Sequence, residues 1–213
     1  MLKVTDVAKV LGGKRVLEGV SFEVGHGEIA IVRGENGSGK STLLRVVTGL
    51  LGLDRGSVVV CGAELGRDEV AAKREMGYVP DATDALPDLL VREFIELVWA
   101  LKRPPIGRDM RPTSEFIARL GLTKVWGQAI GALSFGQRKR MCLLAALCGD
   151  PWLLVLDEPS NGLDPEGVDL VVDLIDGRRA QRKGTLLATN DPAFVERLTG
   201  RRLWLEGGRI IPG

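Results

Sequence analysis

The stretch Gly34-Glu35-Asn36-Gly37-Ser38-Gly39-Lys40-Ser41 decides the fold of this chain. It follows the pattern G-x-x-x-x-G-K-[ST], in which glycines let successive backbone N–H groups turn inward toward phosphate oxygens. A short apolar run, Ile29-Ala30-Ile31-Val32, precedes the loop, and a helical pattern begins near Lys40. A strand before the loop and a helix after it are the context that separates this motif from a chance match. The sequence therefore predicts a site for nucleotide phosphates at a helix N-terminus.

Two residues of this P-loop have distinct predicted roles. The charge of Lys40 is expected to contact the β- and γ-phosphates, and the Ser41 hydroxyl is expected to bind Mg²⁺. The predicted cofactor-binding residues are Gly34, Glu35, Asn36, Gly37, Ser38, Gly39, Lys40, Ser41 and the next residue, Thr42. The loop alone does not show what the nucleotide is used for.

Composition and charge fit one globular domain, and we expect a single domain over residues 1–213. There are 29 basic and 28 acidic residues, and this near-neutral balance gives no overall attraction to nucleic acid or anionic lipid. The 3 cysteines have no C-x-x-C spacing, which favours reduced thiols over disulfides or zinc ligands. No signal peptide and no apolar run of the roughly 20 residues that span a bilayer are present. We therefore expect a cytoplasmic protein without a membrane span of its own.

Strand and helix patterns alternate along most of the chain. A continuous apolar run at residues 152–156 is typical of a buried parallel strand, and residues 184–189 are predicted to form another buried strand. An amphipathic helix pattern lies between them. From about residue 84 to residue 148 the pattern is helical, with breaks at prolines. We predict an α/β fold: a P-loop NTPase core of mostly parallel sheet with flanking helices, an antiparallel β edge and an inserted α-helical subdomain at about 84–148.

Two carboxylates, Asp157 and Glu158, follow the apolar run at 152–156. Ligands of open α/β sheets bind at the carboxyl ends of the strands. Asp157 is predicted to reach Mg²⁺ directly or through water, and Glu158 is predicted to polarise the water that attacks the γ-phosphate. Neighbouring strand residues point in different directions, so two adjacent acids can serve two roles. The alternative, a solvated acidic strand end, is disfavoured because a P-loop lies upstream.

A third motif, Leu133-Ser134-Phe135-Gly136-Gln137, precedes the acidic strand, and Ser134 is a good N-cap for the helix that follows. At this stretch the chain resembles the ATP-binding cassette (ABC) family, whose signature sequence is L-S-x-G-Q. The order of motifs also resembles that family along the whole chain. The P-loop comes first, followed by the helical insert, the signature, the two acids and a D-loop at residues 159–164.

This resemblance implies a mechanism in which two nucleotide-binding domains pack head to tail. Each P-loop would face the partner's signature, so Ser134, Gly136 and Gln137 join the predicted cofactor-binding residues. The resemblance implies ATP and Mg²⁺ as cofactors, and a second nucleotide-binding domain and transmembrane permease subunits as partners. ATP-driven dimerisation and hydrolysis would then power a separate permease, and the protein would be peripheral at the inner face of the membrane.

Three positions depart from the family pattern. Leu11 stands where the family has an aromatic residue that stacks on adenine, which predicts weaker and less base-selective binding. Asp81 replaces the Q-loop glutamine, and its carboxylate can still ligate Mg²⁺. Asn190 replaces the switch histidine, and its amide can donate to the γ-phosphate but cannot carry a proton. The one histidine, His26, is expected in a turn at the far end of the sheet, so we predict slow hydrolysis with Glu158 as the main base.

The leading hypothesis is the ATPase subunit of an ABC transporter, with export favoured by the layout after the Q-loop. The alternative is a non-transport regulatory module in which ATP drives dimerisation and hydrolysis is weak. A P-loop kinase or GTPase lacks support, because the signature has no role there and no Asn-Lys-x-Asp motif occurs. The sequence identifies neither the transported substrate nor whether the partner domain is a second copy of this chain.

Overall fold

The structure, a computed structural model, describes residues 1–81, 86–102 and 113–212. Within these ranges the strands are β1 (Leu2–Leu11), β2 (Lys14–Val24), β3 (Ile29–Arg33), β4 (Arg55–Val60), β5 (Ala63–Glu64), β6 (Met76–Val79), β7 (Leu153–Asp157), β8 (Gly184–Ala188), β9 (Arg201–Glu206) and β10 (Arg209–Pro212). The α-helices are α1 (Lys40–Val47), α2 (Glu69–Arg74), α3 (Val91–Lys102), α4 (Ser114–Arg119), α5 (Phe135–Leu147), α6 (Pro165–Ala180) and α7 (Pro192–Glu196).

The strands form two sheets, which confirms the predicted α/β class. A 6-stranded sheet has the order β10-β9-β3-β8-β7-β6, and all its pairings are parallel except that of β10 with β9. A second, 4-stranded sheet has the order β2-β1-β4-β5 and is antiparallel throughout. The carboxyl ends of β3, β6, β7 and β8 therefore meet at one edge, where ligands of such sheets bind.

Alternating side chains of the parallel sheet are buried in two hydrophobic cores. Ile29 and Ile31 of β3 lie in the core shared with α5, α6 and α7. Ala30 and Val32 point the other way, into the core shared with α1 and the antiparallel sheet. Because successive strand residues face opposite sides, a strand covered on both faces must be apolar throughout. This requirement explains the apolar runs of β3 and β7, and β8 follows it except at the buried Thr185.

The region between β6 and β7 is helical where the structure describes it. It contains α3, α4, α5 and two short 3₁₀ turns at Thr123–Val125 and Ile130–Ala132. Buried α5 residues such as Met141, Leu143 and Leu144 share a core with β3 and β7. The predicted subdomain start at Asp84 lies outside the described residues, so the single-domain organisation and its helical insertion stay predictions. Across the described ranges, no helix is both long and apolar enough to cross a bilayer.

Candidate functional site

The P-loop connects the end of β3 to α1 and needs glycine at two positions for different reasons. Gly39 has a φ of 104°, in the left-handed region, and a Cβ there would lie 3.0 Å from Val16 Cγ1. A Cβ on Gly34 would lie 2.4 Å from the carbonyl oxygen of Leu205, which is closer than real Cβ contacts. The loop is therefore packed between β2 and β9, and its backbone N–H groups are held at the start of α1.

Lys40, the first residue of α1, is 7% exposed. Its ammonium donates to the carbonyl of Gly34 at 2.9 Å and to that of Glu35 at 3.1 Å, so it reaches back across the loop. Burial lowers the pKa of Lys40, and the nearby Glu158 and Asp157 carboxylates oppose that shift. A charge in this position can contact phosphate oxygens bound by the loop.

Ser41 and Asp157 place two oxygen atoms next to each other at the same edge. The Ser41 hydroxyl donates to Asp157 Oδ1 at 3.2 Å and joins the first turn of α1 to the end of β7. Burial raises the pKa of Asp157, and the Ser41 hydrogen bond opposes this shift. Hydroxyl and carboxylate oxygens are hard donors that suit Mg²⁺, which takes its remaining ligands from phosphates and water. The two residues therefore fit a magnesium ion held jointly with a bound phosphate.

Glu158 is held against the end of β8. Its Oε2 accepts from the Thr189 hydroxyl at 2.9 Å and from the Asn190 backbone N–H at 3.3 Å. Its φ of 42° is unusual for a residue with a side chain and costs about 1–3 kcal/mol. Strain of this kind persists only where surrounding contacts enforce it, and here it directs the carboxylate toward the phosphate cleft.

Asn190 bridges the P-loop and the segment that follows β8. Its side-chain amide donates to Asn36 Oδ1 at 2.6 Å, linking the segment after β8 to the P-loop. The cleft between these loops has a volume of about 720 Å³, which is within the range of small-ligand sites. Its lining residues are Val16, Asn36, Gly37, Gly39, Lys40, Ser41, Thr42, Asp81, Glu158, Asn161, Asn190 and Asp191.

The cleft thus brings together most of the residues predicted from the P-loop and from the strand ends. Asp81, which follows β6, lies at its rim and accepts from the side-chain amide of Asn161 at 3.1 Å. Three other predicted residues are hydrogen-bonded to residues that line the cleft. The carbonyls of Gly34 and Glu35 accept from Lys40, and the Asp157 carboxylate accepts from Ser41.

Leu11 lies at the tip of the β1–β2 hairpin and is 40% exposed. The hairpin contributes Val16 to the described cleft lining, and that lining includes no aromatic ring. Leu11 itself is not among the described residues that line the phosphate cleft.

The signature residues are also outside the cleft of their own chain. Ser134 is the N-cap of α5, where its hydroxyl accepts from the Gln137 N–H at 3.2 Å and Gln137 Oε1 accepts from the Ser134 N–H at 2.9 Å. This capping box fixes the start of the helix. Ser134, Gly136 and Gln137 are absent from the described lining of the cleft, and Ser134 is exposed. Within one chain the structure does not bring these residues to the P-loop.

Several residues of this region were not singled out from the sequence. Thr189, Asn161 and Asp191 follow apolar strand ends, so the rule that ligands bind at strand carboxyl ends could have found them. Lys139 on α5 is buried, and its ammonium donates to the carbonyl of Asp157 at 3.0 Å. The sequence could have indicated a buried role for Lys139, because helical spacing places it on the same face of α5 as the apolar Cys142 and Leu143.

Comparison with known proteins agrees with this geometry. The family model described as "ABC transporter" matches residues 17–161. The Nod factor export ATP-binding protein I of Rhizobium etli is 36% identical over 97% of the chain, and the chain spans 66% of that protein's length. The general L-amino acid transport ATP-binding protein AapP of Rhizobium johnstonii is 29% identical over 99% of the chain, which covers 83% of AapP.

Solved structures give the same result. The ATP-binding subunit of an ABC transporter superposes with a TM-score of 0.91 at 26% identity, covering 99% of this chain and 88% of that subunit. A dimeric bacterial ABC transporter cassette at 22% identity shares the fold, with a TM-score of 0.84 and 99% and 96% coverage of the two chains. These matches confirm the family that the motifs indicated. The chain belongs to the ABC transporter family, as an ATP-binding cassette of the ATPase type.

Proposed function

We propose that this cassette binds Mg²⁺–ATP at the P-loop cleft, dimerises through it and drives a separate transmembrane permease. The observation that carries the proposal is the separation of two half-sites within one chain. The P-loop cleft holds the phosphate-binding groups, and the exposed start of α5 carries the signature outside that cleft. A second cassette, packed head to tail, would bring a signature helix to each cleft.

The phosphates would be held by the N–H groups of residues 34–42 and by the Lys40 ammonium. Ser41 and Asp157 would bind Mg²⁺, and Asp81 at the rim is a third candidate ligand. When bound, the ion neutralises charge on the β- and γ-phosphates. Burial raises the pKa of Asp157, and a bound divalent cation would oppose that shift by stabilising the ionised carboxylate.

Glu158 is the residue we assign to the attacking water. Its carboxylate would accept the water proton, and the Thr189 hydroxyl at 2.9 Å would restrict its motion. Asn190, hydrogen-bonded to Asn36, can orient the γ-phosphate through its amide but carries no proton. We therefore expect turnover that is slower than with a histidine at residue 190.

The start of α5 is the group we assign to the partner's γ-phosphate. The Ser134 hydroxyl, the backbone of Gly136, the side chain of Gln137 and the positive end of the helix dipole would contact it across the dimer interface. Charge stabilisation from two chains would make hydrolysis depend on dimerisation.

Coupling to a permease is supported by the names of relatives, several of which are Nod factor export proteins. We propose export as the direction, with the cassette held at the inner face of the membrane by its permease. The partner cassette is either a second copy or a related chain that carries histidine at the switch position. A weakly hydrolysing regulatory module is the second candidate, favoured by Asn190 and by the absence of an aromatic ring from the described cleft lining.

The deciding experiment is Glu158→Gln in the purified chain. The variant should bind ATP with near-normal affinity, lose hydrolysis by about a hundredfold or more and form an ATP-dependent dimer on size exclusion. Glu196→Gln, on an exposed turn of α7, is the matched control and should keep normal turnover. A Glu158→Gln protein that stays monomeric at saturating Mg²⁺–ATP would contradict ATP-driven dimerisation of this chain with itself.

A further inference from the structure

Lys139 is a buried lysine at the start of the second turn of the signature helix, two residues after Gln137, and it is 3% exposed. Its ammonium donates to the carbonyls of Pro80 and Asp81, at 3.1 Å each. A third hydrogen bond of 3.0 Å reaches the carbonyl of Asp157. These bonds use all three N–H donors of the ammonium group, so no donor of this buried group is left without a partner.

The three carbonyls belong to two neighbouring strand ends. Pro80 and Asp81 follow β6, and Asp157 is the last residue of β7, which pairs with β6 in parallel. One side chain of α5 therefore connects the helix start to the edge of the sheet where we place Mg²⁺. The capping box at Ser134 makes that helix start rigid, so a shift of Lys139 would move the signature with it.

Asp81 is the nearest carboxylate to this ammonium. Its Oδ1 lies 3.8 Å from Lys139 Nζ and also accepts from Asn161, in the loop after β7, at 3.1 Å. Burial lowers the pKa of Lys139, and the charge of Asp81 is the largest influence that opposes this shift. A neutral residue in place of Asp81 could keep a hydrogen bond to Asn161, but it could not balance a buried cation.

We propose that Lys139 is a positioning residue. With Asp81 as its counter-charge, its ammonium holds the first turn of α5 in a fixed position relative to Asp157 and the loop after β7. The use of that position, presentation of the signature to a partner's ATP, rests on the proposed function. We call these three hydrogen bonds, together with the Asp81 charge, the Lys139 clamp. The clamp is a property of the free chain, and Lys139 contacts no substrate.

The first test uses hydrogen–deuterium exchange on the nucleotide-free chain, so it does not depend on ATP or on dimerisation. Lys139→Gln should lower amide protection about tenfold in three segments together, residues 76–81, 135–140 and 157–161. Asp81→Asn should have a smaller effect in the same segments, because the three carbonyl bonds remain. Arg119→Gln, which breaks the exposed ion pair with Asp173 at 3.2 Å, is the control and should leave these segments unchanged. Unaltered protection in any of the three segments of Lys139→Gln would refute the clamp.

The second test separates positioning from simple destabilisation. In the Glu158→Gln background, Lys139→Gln should leave the affinity of the monomer for a fluorescent ATP analogue within about threefold, because the P-loop contacts are untouched. The ATP concentration needed for half-maximal dimerisation should rise about tenfold or more. Loss of ATP binding and dimerisation in parallel would point to general unfolding and would overturn the positioning role. If Glu158→Gln itself fails to dimerise, ATP-driven dimerisation of this chain with itself fails, and the exchange data still decide whether Lys139 holds the helix start in place.

The pairing of the two charges is tested by a double variant. Asp81→Asn should reduce protection when Lys139 is present and should have little further effect in Lys139→Gln, where no buried cation remains to be balanced. If Asp81 acts only as a metal ligand, its substitution leaves protection of the metal-free chain unchanged in both backgrounds. That result would overturn the role of Asp81 as counter-charge.

Discussion

The two ends of the nucleotide cleft are built differently. At the phosphate end, Lys40 and Asp157 are buried, and hydrogen bonds join the P-loop to the ends of β7 and β8. At the hairpin end, Leu11 is 40% exposed at a strand tip, and no aromatic ring is present in the described lining of the cleft. From this difference we expect affinity to come mainly from phosphate and metal contacts, with little contribution from the base. Four substitutions or ligand changes test this difference between the two ends.

The largest effect is expected at the phosphate end, from Lys40→Ala. Removing a buried, hydrogen-bonded cation from a phosphate site should weaken ATP binding by at least about a hundredfold, or about 3 kcal/mol. Isothermal titration calorimetry measures this directly. Lys124→Ala removes an exposed lysine on the helical region and should bind ATP normally. If Lys40→Ala kept its affinity, the assignment of the P-loop as the phosphate site would be wrong.

The next effect concerns the rate of hydrolysis. Asn190→His adds a group that can carry a proton beside Glu158, and we expect turnover to rise by about ten- to a hundredfold with ATP affinity little changed. Steady-state phosphate release provides the measurement. Asn190→Ala, which only removes the amide bonded to Asn36, serves as the control and should not be faster than the native chain. A native chain that already turns over rapidly and does not respond to histidine would contradict the predicted deficit.

A smaller effect is expected at the hairpin end. Leu11→Tyr supplies a ring for base stacking and should tighten ATP binding by about 1 kcal/mol, or about fivefold. Val10→Tyr places the same ring on the neighbouring residue, which points to the other face of the strand, and should leave affinity unchanged. Equal gains in both variants would show that any added apolar surface on the hairpin is sufficient. That result would contradict the prediction that the nucleotide base stacks specifically on residue 11.

The smallest effect is expected from a change of base in the native chain. Without a ring to stack on, ATP and GTP should bind within about threefold of each other, since their triphosphates make identical contacts. Competition against a fluorescent nucleotide measures the ratio. Leu11→Tyr should raise any preference that exists. A strong ATP preference in the native chain would reveal base contacts outside the cleft lining and would weaken the contrast between the two ends.

Contiguous motifs predicted the fold class and family because their physics is local. A few consecutive residues are enough to recognise the apolar strand before the P-loop, the apolar run before Asp157 and the N-cap at Ser134. The contacts that organise the cleft are not local. Asn190 meets Asn36 across a separation of 154 residues, and Lys139 reaches Asp81 across 58. No pattern within either partner specifies such pairs, because they depend on which strand ends the fold brings together. The functional roles of the site residues stay predictions.

The position of β3 in the sheet determines when the phosphate loop can be completed during synthesis. β3 pairs with β8 on one side and β9 on the other, so residues 29–33 acquire both neighbours only through residues 184–204. Gly34 also packs against the carbonyl of Leu205. Because such distant pairings form late, a ribosome-bound chain that lacks β8 and β9 has a complete P-loop sequence but an incomplete P-loop. We therefore expect tight nucleotide binding, and the stabilisation that bound ATP gives, only after β9 has been translated.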